Sequence, residues 1–191
     1  MGRLLRCALG LVVTVTVVGT ASPASAGRFA PGRFGVGDSI MLSAAGELAN
    51  YDIGVNAEVG RQFSTGLTVV ERLVRRGVLP RVVVVHLGTN GTIDPLDCDA
   101  LIDALDGRLT FLVTVQVPRP WEEPNNRTLH ACASRHERTH VIRWGRYADD
   151  HPEWFADDGY HLTAEGQAAY ASLIDAEIRE RLSRERTRRG A

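Results

Sequence analysis

The sequence predicts an α/β fold in which a parallel β-sheet is covered by helices on both faces. Short runs of β-branched and apolar residues alternate with longer segments of helical spacing, a pattern typical of βαβ units. Residues 82–85 are four consecutive valines, as expected for a parallel strand that is buried on both faces. The 191 residues suffice for one filled core, so we expect a single domain over 27–191, with its core at 33–182.

The same pattern gives five strands and five main helices in chain order. The helix at 65–76 shows the reasoning, because Leu67, Val70 and Leu73 have helical spacing and Gly77 follows its end. The predicted strands are 33–36, 52–55, 82–85, 109–115 and 141–144, and the predicted helices are 40–49, 65–76, 96–105, 125–134 and one capped by Thr163.

Composition and charge are those of an ordinary globular protein, with 44% hydrophobic and 24% charged residues. The formal net charge is −1, so the chain lacks the basic field that nucleic-acid binding requires. We therefore expect no nucleic-acid partner. A monomer is the expected state.

The first 26 residues have the features of a secretory signal peptide. Arg3 and Arg6 precede a mostly apolar stretch at 7–19, and residues 24–26 read Ala-Ser-Ala, a pattern that signal peptidase cleaves. The apolar stretch is shorter than the roughly 20 residues that span a bilayer. We predict export and cleavage near Ala26, with an uncleaved membrane anchor as the alternative.

Export affects how the two remaining cysteines, Cys98 and Cys132, are interpreted. An even number of cysteines in an oxidising compartment favours a disulfide. The two residues lie in neighbouring predicted helices, and their pairing would close a loop of about 35 residues. Metal binding is the weaker alternative, since the sequence has no second ligand at the usual spacing.

Three residues form a candidate catalytic set for nucleophilic attack. Ser39 follows the first strand and opens a helix, and a serine hydroxyl needs a base to remove its proton. His161 can supply that base, and Asp158, three residues earlier, can hold the other ring nitrogen and fix the tautomer. Taken singly, Ser39 could cap a helix and His161 could be a surface histidine. Asp157 is a rival to Asp158, at one residue's longer spacing.

An oxyanion site is predicted from Asn90 with the backbone N–H groups of Ser39 and Gly60. Asn90 ends the buried valine strand, where an amide is costly unless it has a partner. Donors of this kind stabilise the negative charge of an acyl-transfer transition state. The alternative is a turn asparagine, because Asn90-Gly91 is a favoured turn pair.

Four further residues are candidates for substrate binding: Arg61, Gln62, Trp121 and Trp154. Arg61 and Gln62 either bind a substrate carboxylate or sugar hydroxyl, or brace their loop. The two tryptophans either stack on a sugar ring or, as we favour, pack under the loops. His86, on the central strand, is interpreted as a hydrogen-bonded core histidine.

The ordered blocks resemble those of the SGNH (GDSL-type) hydrolase superfamily over nearly all of residues 27–191. They are Gly37-Asp38-Ser39, Gly60, Gly88-Thr89-Asn90 and Asp158 with His161. The resemblance implies a flavodoxin-like three-layer α/β/α sandwich with a five-stranded parallel sheet. It also implies that Ser39 attacks an ester without a metal or organic cofactor.

A more specific resemblance is to the extracytoplasmic SGNH domain that is fused to membrane acyltransferases, including peptidoglycan O-acetyltransferases. It is carried by residues 59–62, 84–91, 117–119 and 151–155 and by Trp121-Glu122. The resemblance implies a secreted serine esterase that acts on short acyl esters of cell-wall or other carbohydrate. The alternatives are an O-acyltransferase that works with a separate membrane partner as acyl donor, a broad GDSL esterase or lipase, and a non-catalytic wall-binding module.

Overall fold

A five-stranded parallel sheet forms the centre of the molecule. The structure is a computed structural model that describes residues 32–190, so the predicted signal peptide lies outside the described residues. The strand order is β2-β1-β3-β4-β5, and every neighbouring pair is parallel. The strands are β1 (Arg33–Gly37), β2 (Ile53–Ala57), β3 (Val82–His86), β4 (Leu109–Val113) and β5 (Thr139–Ile142).

Helices cover both faces of this sheet and create two hydrophobic cores. One core lies against the helices α1 (Ser39–Ser43), α2 (Ala45–Ala49), α6 (Trp144–Ala148) and α7 (Ala164–Gly190). The other lies against α3 (Phe63–Arg75), α4 (Pro95–Ala104) and α5 (Glu122–Arg135). The valine strand serves both, since Val82 and Val84 pack into the first core and Val83 and Val85 into the second. The predicted α/β/α sandwich is therefore confirmed. A 3-10 turn at Pro152–Trp154 lies between α6 and α7.

The single helix predicted at 40–49 is wrong, because the chain forms two short helices there. Ala44 ends α1 and precedes α2, with φ −88° and ψ 7°. Alanine is a strong helix former, so the residue at the break does not signal it, and the weak helix former of this segment, Gly46, lies inside α2.

The ends of the last two strands also differ from the prediction. Strand β4 ends at Val113, because the backbone N–H and C=O of Val115 bond to the side chain of Asn126, at 2.8 and 2.9 Å. The fifth strand is Thr139–Ile142, and Trp144 begins α6. Trp144 is buried against Tyr170 of α7, with ring centroids 5.2 Å apart. Its apolar side chain thus belongs to helix packing, which the apolar run 141–144 could not reveal.

A disulfide joins α4 to α5, as predicted for Cys98 and Cys132. The two Cα atoms are 6.3 Å apart, and both side chains are fully buried in the second core. Within residues 32–190, none of the helices combines the length and apolar character needed to cross a bilayer.

Candidate active site

The candidate nucleophile lies where the central strands end, and its neighbour Asp38 fixes it there. Asp38 is fully buried and caps α1, since its Oδ1 accepts from the backbone N–H of Ile40 at 3.1 Å. The backbone N–H of Asp38 donates to the carbonyl of His86 at 3.1 Å, and its Oδ2 lies 3.4 Å from the backbone nitrogen of Thr89. These bonds join the Ser39 loop to the loop after β3.

The glycine before this cap allows the helix to approach the strand. A Cβ atom at Gly37 would lie 2.4 Å from the Cβ of Met41, a contact that side chains cannot make. Met41 is fully buried beneath the sheet edge. Glycine at this position therefore brings α1, and with it Ser39, close to β1.

Ser39, His161 and Asp158 form a hydrogen-bonded line. Nε2 of His161 lies 3.2 Å from Oγ of Ser39, and Nδ1 of His161 lies 2.6 Å from Oδ2 of Asp158. Ser39 is largely buried, whereas the histidine and aspartate side chains are about 40% exposed (39% and 42%). A base contacts the hydroxyl and a carboxylate contacts the base, which is the arrangement that activates a serine.

The loop that carries Asp158 and His161 is closed on itself. Phe155 and Leu162 form an antiparallel bridge at its base, and the backbone N–H of Gly159 donates to the carbonyl of Ala156 at 2.9 Å. Gly159 has φ +77°, a left-handed conformation that favours glycine. The turn brings the two functional side chains to the same side of the loop.

The carboxyl group of Asp158 is held in its charged form. Its pKa is lowered from 3.8 to about 2, first by the hydrogen bond with the His161 ring and then by the backbone N–H groups of His161 and Tyr160. Those N–H groups lie 3.0 and 3.2 Å from Oδ1. The carboxylate that contacts His161 belongs to Asp158, and not to its rival Asp157.

Asn90 and Gly60, the two other candidate oxyanion donors, lie in neighbouring loops that contact each other. Gly60 has φ +72° and is exposed after β2. Nδ2 of Asn90 lies 3.5 Å from the carbonyl of Arg61, and Nε2 of Gln62 donates to the carbonyl of Asn90 at 2.6 Å. The structure thus brings the loop of Gly60 and the loop of Gly88-Thr89-Asn90 together.

Arg61 braces the loops around the site. Its side chain is buried, and the guanidinium donates to the carbonyls of Gly37 and Asn56 at 3.0 and 2.7 Å. It also bonds to the side chains of Asn56 and Glu58, at 2.9 and 3.2 Å. Gln62 bonds to the carbonyl of Asn90 in a similar way. These are bracing contacts, and substrate binding by either residue stays a prediction.

The two candidate tryptophans also have structural partners. Trp121 donates its ring N–H to the carbonyl of Thr89 at 3.2 Å. Trp154 stacks on His151 and on Trp144, with ring centroids 3.8 and 5.9 Å apart. Packing under the loops, the interpretation favoured from the sequence, accounts for these contacts of Trp154.

Two supporting residues were missed by sequence reasoning. Asn125 is buried, accepts from the backbone N–H of Ile93 at 2.8 Å, and donates to the carbonyls of Gly88 and Gly91 at 2.9 and 2.8 Å. Tyr170 is buried against His86, which confirms that His86 is a hydrogen-bonded core histidine. An asparagine opening a helix and a tyrosine on a helix face are too common to be recognised from sequence as site supports.

Relatives of known name match most of this chain, although no family model matches it. Over 141 residues it is 30% identical to putative peptidoglycan O-acetyltransferase YrhL of Bacillus subtilis (strain 168) and 32% identical to peptidoglycan O-acetyltransferase OatA of Listeria monocytogenes (serovar 1/2a, strain EGD-e). In both cases 73% of this chain is aligned, and it spans 22% of the relative's length.

Solved structures share the fold. The C-terminal catalytic domain of Streptococcus pneumoniae peptidoglycan O-acetyltransferase A matches with a TM-score of 0.71 and 22% identity, covering 80% of this chain and 94% of that one. A family 3 carbohydrate esterase of Clostridium thermocellum matches with a TM-score of 0.60 and 16% identity, covering 75% and 93%. These comparisons confirm the resemblance and the fold class that the sequence predicted.

Proposed function

We propose that this chain is a serine enzyme that cleaves short acyl esters of cell-wall carbohydrate. It has the SGNH hydrolase fold and is homologous to part of the peptidoglycan O-acetyltransferases. The observation that carries the proposal is the line of contacts from Ser39 through His161 to Asp158, at 3.2 and 2.6 Å. The cell-wall substrate is inferred from the relatives' names. The proposed export of the protein is inferred from the signal-peptide features of residues 1–26.

In the proposed mechanism, His161 Nε2 takes the proton of Ser39 as Oγ attacks the ester carbonyl. The tetrahedral intermediate collapses when the sugar oxygen leaves and receives that proton from His161, which produces an acyl-serine. Water, deprotonated by the same imidazole, then attacks the acyl group. The second intermediate collapses to the free acid as Oγ of Ser39 leaves and takes the proton back from His161. Asp158 keeps its charge throughout, holds the Nδ1–H of His161, and stabilises the imidazolium that forms in each half-reaction.

The negative oxygen of the intermediate is bound by the backbone N–H groups of Ser39 and Gly60 and by the side chain of Asn90. Ser39 is the first residue of α1, and an N–H in the first turn of a helix has no intrahelical acceptor. Within residues 32–190, the side-chain amide of Asn90 donates in a single long contact, 3.5 Å, to the carbonyl of Arg61. It carries two N–H donors, so one remains for the substrate.

A second candidate function is acyl transfer to a sugar hydroxyl, and the names of the relatives favour it. The acyl-serine would then be resolved by a sugar hydroxyl in place of water. Such an enzyme needs an acyl donor, for which we propose a separate membrane partner. The chain spans only 22% of the length of those relatives, so their whole activity is not carried over.

The experiment uses a fluorophosphonate probe together with release of acetate from O-acetylated peptidoglycan. The wild-type protein should be labelled at Ser39 and should release acetate, and Ser39→Ala should lose both. Ser43→Ala is the matched control, because Ser43 lies on the same helix and its hydroxyl donates to the carbonyl of Ile40, at 2.8 Å. A folded wild-type protein that neither reacts with the probe nor releases acetate would favour the wall-binding module and end the enzyme proposal.

Two further assays separate the rival enzymes. Adding a sugar acceptor should give acylated sugar if the protein is a transferase, and free acid alone if it is an esterase. With 4-nitrophenyl esters, kcat/KM should be highest for acetyl and fall with chain length, since each methylene that finds an apolar wall would otherwise add about 0.8 kcal/mol. A preference that rises to eight carbons would favour the lipase.

A further inference from the structure

The loop after β4 is a rigid segment that contacts the catalytic loop. Arg119 lies between Pro118 and Pro120, and proline limits the backbone at its own position and at the residue before it. The backbone N–H of Val117 donates to Oε2 of Glu122 at 2.7 Å. A Cβ atom at Gly159 would lie 3.6 Å from Cγ of Pro118, so this segment packs beside the turn between Asp158 and His161.

Arg119 extends from this segment towards the candidate catalytic histidine. The carbon of its guanidinium lies 5.9 Å from the centroid of the Tyr160 ring, within range of a cation–π contact. The Tyr160 ring lies in turn 4.3 Å from the imidazole of His161. Together these distances put the guanidinium no more than about 10 Å from that imidazole.

The charge of Arg119 is not neutralised by the rest of the described chain. Its guanidinium donates to the carbonyl of Pro118, the preceding residue, at 3.0 Å, and no ion pair within residues 32–190 includes it. Of the acidic groups on the two adjoining segments, Glu122 accepts from Val117, Glu123 pairs with Arg127, and Asp158 accepts from His161. An exposed cation with unused N–H donors therefore lies next to the loop that carries Asp158 and His161.

We propose that Arg119 binds a carboxylate on the sugar whose ester is attacked by Ser39, so that the enzyme prefers acidic acylated sugars to neutral ones. A guanidinium presents a planar fork of N–H donors that matches a carboxylate. A single exposed cation near the ionised Asp158 suits a singly charged group better than a dianionic phosphate. This inference rests on the proposed function and names its substrate class.

The test compares two esters that differ in one charge. The probes are 6-O-acetyl-N-acetylmuramic acid, which carries a carboxylate, and its methyl ester, which does not. The wild-type kcat/KM should be about fivefold higher for the acid, the effect expected of one well-oriented exposed ion pair. Most of this difference should come from a lower KM for the acid. The ratio should fall towards one as salt is added, because exposed charges are screened.

Variants assign that ratio to Arg119. Arg119→Gln should bring the ratio of kcat/KM for the acid to that for its methyl ester close to one, and Arg119→Lys should keep part of the preference for the acid. Tyr160→Leu should lower the ratio, because it removes the ring under the guanidinium. Arg72→Gln is the matched control, since Arg72 is an exposed arginine on α3 outside the site and its loss changes the net charge equally. Thermal unfolding of each variant verifies that it is folded.

The outcomes separate this inference from the function on which it rests. Hydrolysis of both esters with a wild-type ratio of one, or a ratio that Arg119→Gln leaves unchanged, would overturn the role of Arg119 alone. Absence of hydrolysis with either ester would overturn the proposed function and this inference with it. A stronger preference for an acetylated N-acetylglucosamine phosphate over both muramic esters would rule out the carboxylate in favour of a phosphate.

Discussion

Nδ1 of His86 lies 2.7 Å from the hydroxyl oxygen of Tyr170, and both rings are buried behind the loop that carries Ser39. The rings are stacked, with centroids 5.4 Å apart. The carbonyl of His86 accepts from the backbone N–H of Asp38, which caps the helix of the candidate nucleophile. His86 thus joins strand β3 to helix α7 through its side chain and to the nucleophile loop through its backbone carbonyl.

Removal of that contact should destabilise the fold. Tyr170→Phe leaves Nδ1 of His86 buried without its partner, and an unsatisfied buried polar group costs about 1 to 3 kcal/mol. Urea unfolding should report this loss. Tyr147→Phe is the control, because Tyr147 is 48% exposed and keeps its ring contacts with Trp144 and Trp154 as phenylalanine. Equal stability of the two variants would show that the hydroxyl contributes nothing.

Acid should weaken the fold through buried histidines. Burial lowers the pKa of His86 from 6.5, and the pKa of the half-buried His140 is lowered too, first by burial. The unfolded chain therefore takes up protons at a higher pH than the native one. Their contribution to stability is complete above about pH 6.5 and is lost as the pH falls from there towards the native pKa values.

Urea midpoints at pH 7.5 and pH 5.5 measure this loss. The wild-type midpoint should be lower at pH 5.5, and His86→Gln should show a smaller difference between the two pH values. A pH dependence identical in both proteins would mean that His86 does not titrate differently in the folded and unfolded states.

Asp158 should titrate far below an ordinary aspartate. Carbon NMR should give a midpoint near the pKa of about 2 that the structure indicates, and His161→Ala should raise it because the ring hydrogen bond is the largest cause of the shift. The stability that this carboxylate contributes is fully present above about pH 3.8 and is lost as the pH falls towards 2. A midpoint near 3.8 in the wild-type protein would contradict the Asp158–His161 bond.

The same residue should matter for activity through the tautomer of His161. Asp158→Asn keeps the shape but cannot accept the Nδ1–H as a carboxylate does, so we expect kcat to fall by about 10²- to 10⁴-fold. Asp157→Asn is the control on the adjacent residue and should keep its activity. If both substitutions had equal effects, the assignment of the third catalytic residue would be wrong.

The disulfide should stabilise the second core. It closes a sequence separation of 34 residues, for which the chain-entropy model gives about 3 to 4 kcal/mol. Intact mass after alkylation, with and without reductant, should show no free thiol at Cys98 or Cys132 before reduction. Cys98→Ser should then unfold at a lower urea concentration than the oxidised wild type, and at a concentration close to that of the reduced protein.

Some sequence-based predictions were wrong for one reason, because a local sequence pattern does not show which distant residues a side chain packs against. The run 141–144 is apolar, and the sequence cannot tell that Ile142 ends a strand while Trp144 starts a helix against Tyr170. The role of Arg61 could not be predicted for the same reason, because the sequence does not show whether a guanidinium in a site loop binds substrate or backbone carbonyls. The structure shows Arg61 buried and bonded to Gly37 and Asn56, contacts that depend on tertiary packing.

The sequence by itself determined the alternation of strands and helices, the valine strand buried on both faces, and the set of residue types that acyl transfer requires. These depend on hydrophobic periodicity and on chemistry that each residue carries within its own segment. The tertiary structure alone decided that His161 contacts a serine 122 positions earlier in the chain, that Tyr170 supports His86, and that the cation of Arg119 lies next to the candidate catalytic loop. Contacts of this kind arise when the carboxyl ends of parallel strands meet at one edge of the sheet, and their distances depend on the packing of the whole domain.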